Sequence, residues 1–252
     1  MESLRVQIYF SPTDLAAVQS NPDDIYIVID VVRATTTLSV LFERHIERVF
    51  AANTLEQAQN AAQKHPSRLL AGERHALPLP GFDYGNSPAQ FAELDLRGHE
   101  LILTTTNGTR AFHACPSESI RLAGCFYNAY AVTSYALKIA EEHGSNVVIV
   151  CAAESNYFAL DDATCAGYLA MELQRQYPSI TISDDVYAGM ALYHSYAPPK
   201  LADVANSARS IRNAGLERDL EFCMKIDGGK AIPIVVGVED ETGLLILEDV
   251  EV

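Results

Sequence analysis

The chain has 252 residues, of which 48% are hydrophobic and 20% are charged, a composition typical of a globular protein rather than a disordered one. Its formal net charge is −15 at pH 7. This acidic excess argues against a nucleic-acid groove or a site for anionic lipid, because both need clustered lysine and arginine. We therefore expect a small-molecule ligand, with neither nucleic acid nor a membrane as a partner.

No stretch approaches the roughly 20 apolar residues of a membrane span, and the N-terminus lacks the basic and apolar regions of a signal peptide. The five cysteines are widely spaced and form no Cys-x-x-Cys pair. That pattern favours free thiols in a reducing compartment, and no histidine spacing suggests zinc. We expect a cytoplasmic protein and leave open whether it is a monomer or a homodimer.

Strands and helices alternate along the chain, which predicts one layered α/β/α domain with a mixed sheet over residues 1–252. The first half reads as strand Leu4–Phe10, strand Ile25–Asp30, helix Ala34–Arg44, strand Glu47–Ala51, helix Thr54–His65, an irregular stretch from Gly72 to Pro88, and strand Glu100–Leu103 with a short helix after it. The second half reads as strand Ile120–Ala123, helix Asn128–His143, strand Asn146–Ala152, helix Asp161–Gln176, helix Asp184–Tyr196, a mainly helical region from Pro199 to Lys225, and a hairpin of Ala231–Val238 and Leu244–Leu247.

The first segment that suggests chemistry is DVVRATTT, Asp30–Thr37, where a carboxylate ends a buried strand and Arg33 and three threonines open a helix. Ligands of open α/β sheets bind beyond the carboxyl ends of strands, and helix N-termini present free N–H groups to anions. Asp30 would then hold Mg²⁺, while Arg33 and the hydroxyls of Thr35 and Thr36 would hold phosphate oxygens. The alternative is that Asp30 and one threonine only cap the helix.

A second segment, Leu103–Ala111, has the same shape: a strand, three threonines, Asn107-Gly108, and an arginine. A glycine in such a turn lets successive N–H groups converge on an oxyanion. The alternative is an ordinary Asn-Gly turn with a threonine cap. The candidate anion-binding residues here are Thr106, Asn107, Gly108, Thr109 and Arg110.

The likeness of the two segments has two explanations: a duplicated βα unit, around residues 25–45 and 99–115, or chance similarity of threonine-rich stretches. If both turns form one anion site, they must lie on neighbouring strands or flank one crevice. Arg33, Arg74 and Arg110 with a divalent cation would then make a locally positive pocket on an acidic protein.

Two further segments supply carboxylates. In the irregular stretch, Glu73 and Asp83 offer oxygen ligands suited to a hard cation, although Glu73 and Arg74 also read as a surface ion pair. Residues 86–88, Asn-Ser-Pro, read as a helix cap with proline at the first helical position. Farther along, Asp161-Asp162 either stabilise the N-terminus of their helix or supply one metal ligand.

Several phosphatase and nucleotide motifs are absent. Cys115 and Arg121 match the Cys-x5-Arg spacing of cysteine phosphatases, but the intervening loop has no glycine and contains Glu118. Val32 stands where the aspartyl-phosphate phosphatases have a second Asp, and no GxxxxGK[ST] sequence is present. A kinase therefore has no support in the motifs.

Five segments together, in this order, resemble the 2-phosphosulfolactate phosphatase family, and the resemblance extends over nearly the whole chain. They are DVVRATTT (Asp30–Thr37), GER (Gly72–Arg74), GFDYGNSP (Gly81–Pro88), TTTNGTRA (Thr104–Ala111) and LDDATCAG (Leu160–Gly167). The resemblance implies a Mg²⁺-dependent phosphatase of coenzyme M biosynthesis that converts 2-phospho-3-sulfolactate to 3-sulfolactate and phosphate. It also implies an α/β fold distinct from the common phosphatase folds.

The chain departs from the family pattern in three places. A stretch that is usually glycine-rich reads Ala152–Asn156, the family's Leu-Glu-Asp reads Leu160–Asp162, and a segment often rich in His, Gly and Arg reads Ser207–Ser210. These departures leave one alternative open, a non-catalytic protein that binds a phosphorylated metabolite on the same scaffold.

The hypothesis is therefore a hydrolase acting on a small phosphorylated acid, with the nucleophile, water or a carboxylate, left open. The expected catalytic residues are Asp30, Asp162, Arg33 and Arg110. The expected metal ligands are Asp30, Glu73, Asp83 and Asp162. The expected substrate-binding residues are Thr35, Thr36, Arg74, Thr106, Asn107, Gly108 and Thr109.

Overall fold

Runs of β-branched and other apolar residues form the strands, because such side chains pack well on a pleated, buried surface. The computed structural model describes residues 4–155 and 157–250. Its strands are β1 (Arg5–Tyr9), β2 (Ile25–Ile29), β3 (Arg48–Ala51), β4 (Leu69–Arg74), β5 (Leu77–Pro78), β6 (Glu100–Thr104), β7 (Ile120–Gly124), β8 (Val147–Cys151), β9 (Thr181–Ile182), β10 (Pro233–Val238) and β11 (Leu245–Asp249). Its helices are α1 (Pro12–Ala16), α2 (Ala34–Glu43), α3 (Leu55–Lys64), α4 (Pro88–Phe91), α5 (Gly108–Ala114), α6 (Ala129–His143), α7 (Leu160–Gln176), α8 (Asp184–Tyr196), α9 (Lys200–Val204), α10 (Asn206–Asn213) and α11 (Glu217–Cys223).

All the strands belong to one mixed sheet, in the order β5-β4-β6-β3-β11-β10-β7-β2-β8-β1-β9. Strands β4, β6 and β3 form one parallel block, and β7, β2, β8, β1 and β9 form another. The β10–β11 hairpin lies between the blocks and is antiparallel to its neighbours on both sides. The two parallel blocks therefore run in opposite directions.

The turns that follow β2 and β6 nevertheless touch each other. Five strand spacings separate these strands, which in a flat sheet would place them about 24 Å apart. A Cβ atom on Gly108, at the start of α5, would lie 2.7 Å from Oδ2 of Asp30 and 2.5 Å from Cβ of Ala34. The sheet is therefore strongly curved, and the register shift between Val235 and Gly237 adds local twist at the hairpin.

Helix α2 lies against both parts of this curved sheet. Its residues Ala34–Phe42 are all buried, and it contacts β7, β10, α4 and α5. Strands β2 and β8 at the centre of the larger block are likewise buried at every position. The core thus surrounds the element that begins directly after Asp30, which fixes the position of that carboxylate.

The prediction of an α/β domain with a mixed sheet is confirmed, and most elements lie within a few residues of their predicted bounds. Helix Asp184–Tyr196 and the closing hairpin were both predicted. Thr54 caps α3 by accepting the N–H of Gln57 at 3.1 Å, while the Gln57 side chain accepts the N–H of Asn53. The duplication of a βα unit remains a prediction.

The stretch from Gly72 to Pro88 is not irregular throughout. Strand β4 extends to Arg74, and β5 pairs with it in a hairpin whose turn is His75-Ala76. The local sequence gave no sign of β4, because only Leu69–Ala71 is apolar and the pairing that holds the strand comes from distant β6. No helix among the described residues is long and apolar enough to cross a membrane.

Helices α7 and α8 approach each other through Gly167 and Gly189. A Cβ atom on Gly167 would lie 1.9 Å from the Gly189 carbonyl oxygen, a distance that requires one helix to move. We expect Gly167→Ala to lower the free energy of unfolding by about 3 kcal/mol, as overpacking in a core does.

Urea denaturation measures this change, with Gly237→Ala as the matched control because its added Cβ atom meets nothing within 4 Å. Equal losses of stability in the two variants would contradict the close contact between α7 and α8.

Candidate active site

A cavity of about 260 Å³ lies where the turns after β2, β4, β6 and β8 meet the N-terminus of α7 and one side of α10. The two threonine-rich segments both border it, through Asp30 and Arg33 of the first and Thr106 and Asn107 of the second. The condition that both turns flank one crevice is therefore met. The charged side chains in its wall are Asp30, Arg33, Glu73, Glu154, Asp161 and Asp162.

Asp30 follows β2 and lies beside the first turn of α2, whose Ala34 N–H donates to its Oδ1 at 3.3 Å. Burial raises the pKa of Asp30 to about 7, and the charges of Glu73 and Asp161 raise it as well. The Ala34 hydrogen bond and the charge of Arg33 oppose these effects. Without a bound cation, a carboxyl group with this pKa exchanges a proton near neutral pH.

Asp162 uses both of its carboxylate oxygens to hold backbone. Oδ1 accepts the N–H of Val31 at 2.9 Å, and Oδ2 accepts the N–H of Ala153 at 3.1 Å. Burial, followed by the charges of Asp161 and Asp30, raises the pKa of Asp162 well above its usual range. Asp162 therefore ties the end of β2 to the end of β8.

Its neighbour Asp161 is buried too, but only its Oδ2 accepts a hydrogen bond from another side chain, the Ser207 hydroxyl at 2.7 Å. Burial raises the pKa of Asp161, and the bond from Ser207 opposes that effect. Of the two acids that open α7, Asp162 holds the backbone at the ends of β2 and β8 whereas Asp161 does not, a distinction that the sequence left open.

Glu73 ties the end of β4 to the turn after β6. Its Oε1 accepts both the N–H and the hydroxyl of Thr106, each at 2.8 Å, and its Oε2 accepts the N–H of Ala76 at 3.1 Å. Glu73 is buried and lines the cavity, but these bonds occupy both of its oxygens. Its position therefore favours a structural role in the wall over metal ligation.

Arg33 is buried in the wall and forms an ion pair with Asp219, with Nη1 2.7 Å from Oδ2. Its Nη2 donates to the carbonyl oxygen of Ala76 at 2.8 Å. Asp219 also accepts the hydroxyl of Ser87 and the N–H of Ala89. This network fixes the guanidinium at the cavity and joins α11 to α4.

Three threonines that the sequence proposed for substrate binding do not reach the cavity. Thr35 and Thr36 are fully buried, and their hydroxyls donate to the carbonyl oxygens of Asp30 and Val31. Thr109 is buried as well, and its N–H donates to Thr105 Oγ1. The three hydroxyls donate to backbone carbonyl oxygens at the first turns of α2 and α5, and they stabilise these turns.

Arg74, Asp83 and Arg110 also lie outside the cavity. The Arg74 guanidinium donates to the Glu73 carbonyl oxygen at 2.6 Å, and Asp83 Oδ2 accepts the Leu70 N–H at 2.8 Å. Arg110 is exposed in a separate cleft with His113 that adjoins the cavity at Asn107. Gly108 faces Asp30. An α-helix turns by about 200° over two residues, so Arg110 lies on the opposite side of α5 from Asp30.

In the described part of the chain, no three His, Cys, Asp or Glu side chains are grouped to hold a metal ion. Mg²⁺ needs fewer protein ligands, because it usually binds one or two carboxylates and completes its shell with substrate phosphate and water. Asp30 and Asp161 are the carboxylates of the wall closest to this pattern, because Asp162 and Glu73 use both of their oxygens to hold the backbone. The residues present therefore suit Mg²⁺ at this pair.

The rejected cysteine motif is inert in the structure. Cys115 is buried, and burial raises the pKa of its thiol to about 12, although Arg121 acts in the opposite direction. Arg121 donates to the Phe112 carbonyl oxygen at 3.2 Å. A thiol in this state is no nucleophile.

Sequence reasoning missed several residues of the cavity wall. Asn86 was interpreted as part of a helix cap, and Ser87 alone performs that role by accepting the N–H of Gln90 at 3.1 Å. Ser207 and Ser210 come from α10, more than 40 positions after Asp161, so no local pattern could have linked them to it. Ser155 is held at the rim through its N–H, which donates to Asn107 Oδ1 at 3.2 Å.

Comparison with known proteins agrees with the resemblance seen in the motifs. The family model for 2-phosphosulpholactate phosphatase matches residues 10–237. A protein of Carboxydothermus hydrogenoformans named as a probable 2-phosphosulfolactate phosphatase is 31% identical over 230 residues, covering 91% of this chain and 92% of that protein. Proteins of the same name from Thermus thermophilus and Gloeothece citriformis are 33% and 32% identical, over 85% and 96% of this chain and 89% and 99% of their own lengths.

The chain is therefore an enzyme of the phosphoric monoester hydrolase class. It belongs to the 2-phosphosulfolactate phosphatase family.

The raised pKa of Asp30 predicts how the free energy of unfolding changes with pH. Because the folded-state pKa lies above the unfolded value of about 3.9, this group's contribution to stability falls as the pH rises from about 4 to about 7. We expect Asp30→Asn, which cannot ionise, to unfold at a higher temperature than the unsubstituted protein at pH 8 in EDTA. The gain should be at least about 2–4 °C and should shrink toward pH 4.

Thermal unfolding at pH 8 and pH 5 measures the effect. Asp95→Asn is the control, because Asp95 is exposed and hydrogen bonds from Arg97 lower its pKa. A gain for Asp30→Asn that does not change with pH would show that ionisation of Asp30 is not its cause.

Proposed function

We propose that this chain hydrolyses a small phosphomonoester that carries a further acid group, with 2-phospho-3-sulfolactate as the first candidate and 3-sulfolactate and phosphate as products. The observation that carries the proposal is the position of Asp30, in a cavity of about 260 Å³ that both threonine-rich turns border, beside the buried Arg33. A cavity of this size suits a small metabolite. The names of the relatives support the choice of substrate.

The wall offers separate groups for the phosphate and for a metal ion. Arg33 is fixed by Asp219 and Ala76, so its guanidinium is oriented before a ligand arrives. Asp30 and Asp161 would hold Mg²⁺, which when bound neutralises phosphate charge and lowers the pKa of coordinated water. This cation would also offset the excess of carboxylates in the wall.

In the hydrolysis, a bond forms between phosphorus and the oxygen of a water molecule, and the ester P–O bond breaks. The water loses a proton to solvent, which also supplies the proton taken by the leaving oxygen. The leaving oxygen then takes a proton and departs as the alcohol of the hydroxy acid. Water and the phosphomonoester are thus converted to alcohol and inorganic phosphate.

Phosphate release from 2-phospho-3-sulfolactate and from phenyl phosphate, with Mg²⁺ and with EDTA, tests this proposal. We expect turnover with Mg²⁺ and a loss in EDTA that added Mg²⁺ restores. Asp30→Asn should lower kcat by about 100-fold or more, because a neutral amide would replace an anionic metal ligand and metal stabilisation of phosphate charge contributes several kcal/mol.

Asp95→Asn serves as the control for loss of one negative charge, because Asp95 lies on the exposed surface. No phosphate release from either ester in the presence of Mg²⁺ would refute the proposal. Binding of the ester without turnover would instead support the non-catalytic alternative.

The two arginines of the threonine-rich turns should differ in their effects. Arg33→Lys keeps the charge but loses the two-sided hold on Asp219 and Ala76, so we expect kcat/KM to fall by about 10- to 100-fold. Arg110→Lys should change kcat/KM by less than about threefold, because Arg110 is exposed in the neighbouring cleft.

Steady-state kinetics on 2-phospho-3-sulfolactate measures both variants, and thermal unfolding shows whether Arg33→Lys remains folded. Equal effects of the two substitutions would contradict the separate positions of the two side chains.

A further inference from the structure

Asn86 is a buried residue whose side chain lines the cavity, with only 3% of its surface exposed. Its Oδ1 is fully buried and has no hydrogen-bond partner among the described residues. Its Nδ2 likewise donates to none of them. Among residues 4–155 and 157–250, this buried amide oxygen therefore has no partner.

Asn128 shows what a structural asparagine looks like in the same chain. It is fully buried, and its Oδ1 accepts the N–H of Cys125 at 3.0 Å. Its Nδ2 donates to the carbonyl oxygens of Ala123 and Ala231, each at 3.0 Å. Every polar atom of the Asn128 side chain forms a hydrogen bond, whereas Asn86 Oδ1 forms none with a described residue.

The backbone around Asn86 is nevertheless held firmly. Ser87 and Ala89 both bond to Asp219, which is itself paired with Arg33. Asn86 is therefore placed beside Arg33 by the same network that orients the guanidinium. An unpaired buried polar group is unfavourable, so it persists where a ligand completes it.

We propose that the Asn86 amide binds the 2-hydroxy acid unit of the organic product, and that its N–H groups bind the carboxylate of the substrate. This inference rests on the proposed function, because it specifies the part of the molecule that remains when phosphate is released.

The chemistry of the amide selects this ligand. A primary amide presents N–H donors and a carbonyl acceptor side by side. A 2-hydroxy acid presents the complement, a carboxylate oxygen that accepts and an adjacent hydroxyl that donates. The Asn86 N–H groups would donate to the carboxylate, and Oδ1 would accept the hydroxyl proton of the product.

The experiment measures binding of 3-sulfolactate and of 3-sulfopropanoate, which lacks the 2-hydroxyl, to the purified full-length protein by calorimetry. Asn86→Leu is compared with the unsubstituted protein. We expect 3-sulfolactate to bind Asn86→Leu about 10- to 100-fold more weakly, and the difference between the two ligands to disappear in this variant. On 2-phospho-3-sulfolactate, kcat/KM should fall at least tenfold more than it does on phenyl phosphate.

Thermal unfolding without ligand separates binding from a structural role. Asn86→Leu should unfold no lower than the unsubstituted protein, because it loses no hydrogen bond, whereas Asn128→Leu should unfold several degrees lower. Asn86→Ala repeats the binding measurement if leucine disturbs folding. A large loss of stability in both Asn86 variants would assign the residue a structural role and overturn the inference.

Equal affinity of the unsubstituted protein for 3-sulfolactate and 3-sulfopropanoate would also overturn it, as would unchanged 3-sulfolactate binding in Asn86→Leu. These binding measurements need no turnover. Failure of the proposed function is seen separately, as absence of phosphate release by the unsubstituted protein.

Discussion

The geometry of the cavity depends on the Asp162 carboxylate, which accepts the N–H groups of Val31 and Ala153. These two bonds join the ends of β2 and β8, the adjacent strands at the centre of the larger parallel block. A buried carboxylate without partners would cost several kcal/mol, so the two backbone donors are needed to keep it there. Asp30 and Asp161 adjoin the tied residues in sequence and are therefore positioned by the same contact.

Crowding of carboxylates explains how a protein with a net charge of −15 can suit an anionic ligand. The raised pKa of Asp30 arises first from burial and then from Glu73 and Asp161, so the cavity already favours an added proton or cation. Arg33 cannot supply the balance alone, because Asp219 is its ion-pair partner. The divalent cation proposed above would offset this crowding and would also neutralise phosphate charge.

The sequence predicted the sheet and most helices, because these depend on periodicity. Convergence of the two threonine-rich turns was only a condition for one shared site, and it results from the curvature of the sheet, which no local pattern shows. It did not distinguish Asp161 from Asp162, since their roles depend on which oxygens meet the backbone of β2 and β8. Arg110 resembles Arg33 in sequence, yet the phase of α5 directs it to another cleft. The sequence did not indicate that Asn86 lines the cavity, because the helix cap formed by Ser87 was enough to explain this segment.

Backbone strain is concentrated at the cavity. Six residues other than glycine have positive φ in the described part of the chain, and four of them, His75, Ala76, Ala153 and Ser155, line the cavity. Such conformations cost about 1–3 kcal/mol each and persist where surrounding contacts enforce them. The N–H groups of the last three donate to Glu73, Asp162 and Asn107, respectively. The polar residues of the wall therefore act twice: they shape the turns that close the cavity, and they set the charge that a ligand meets inside it.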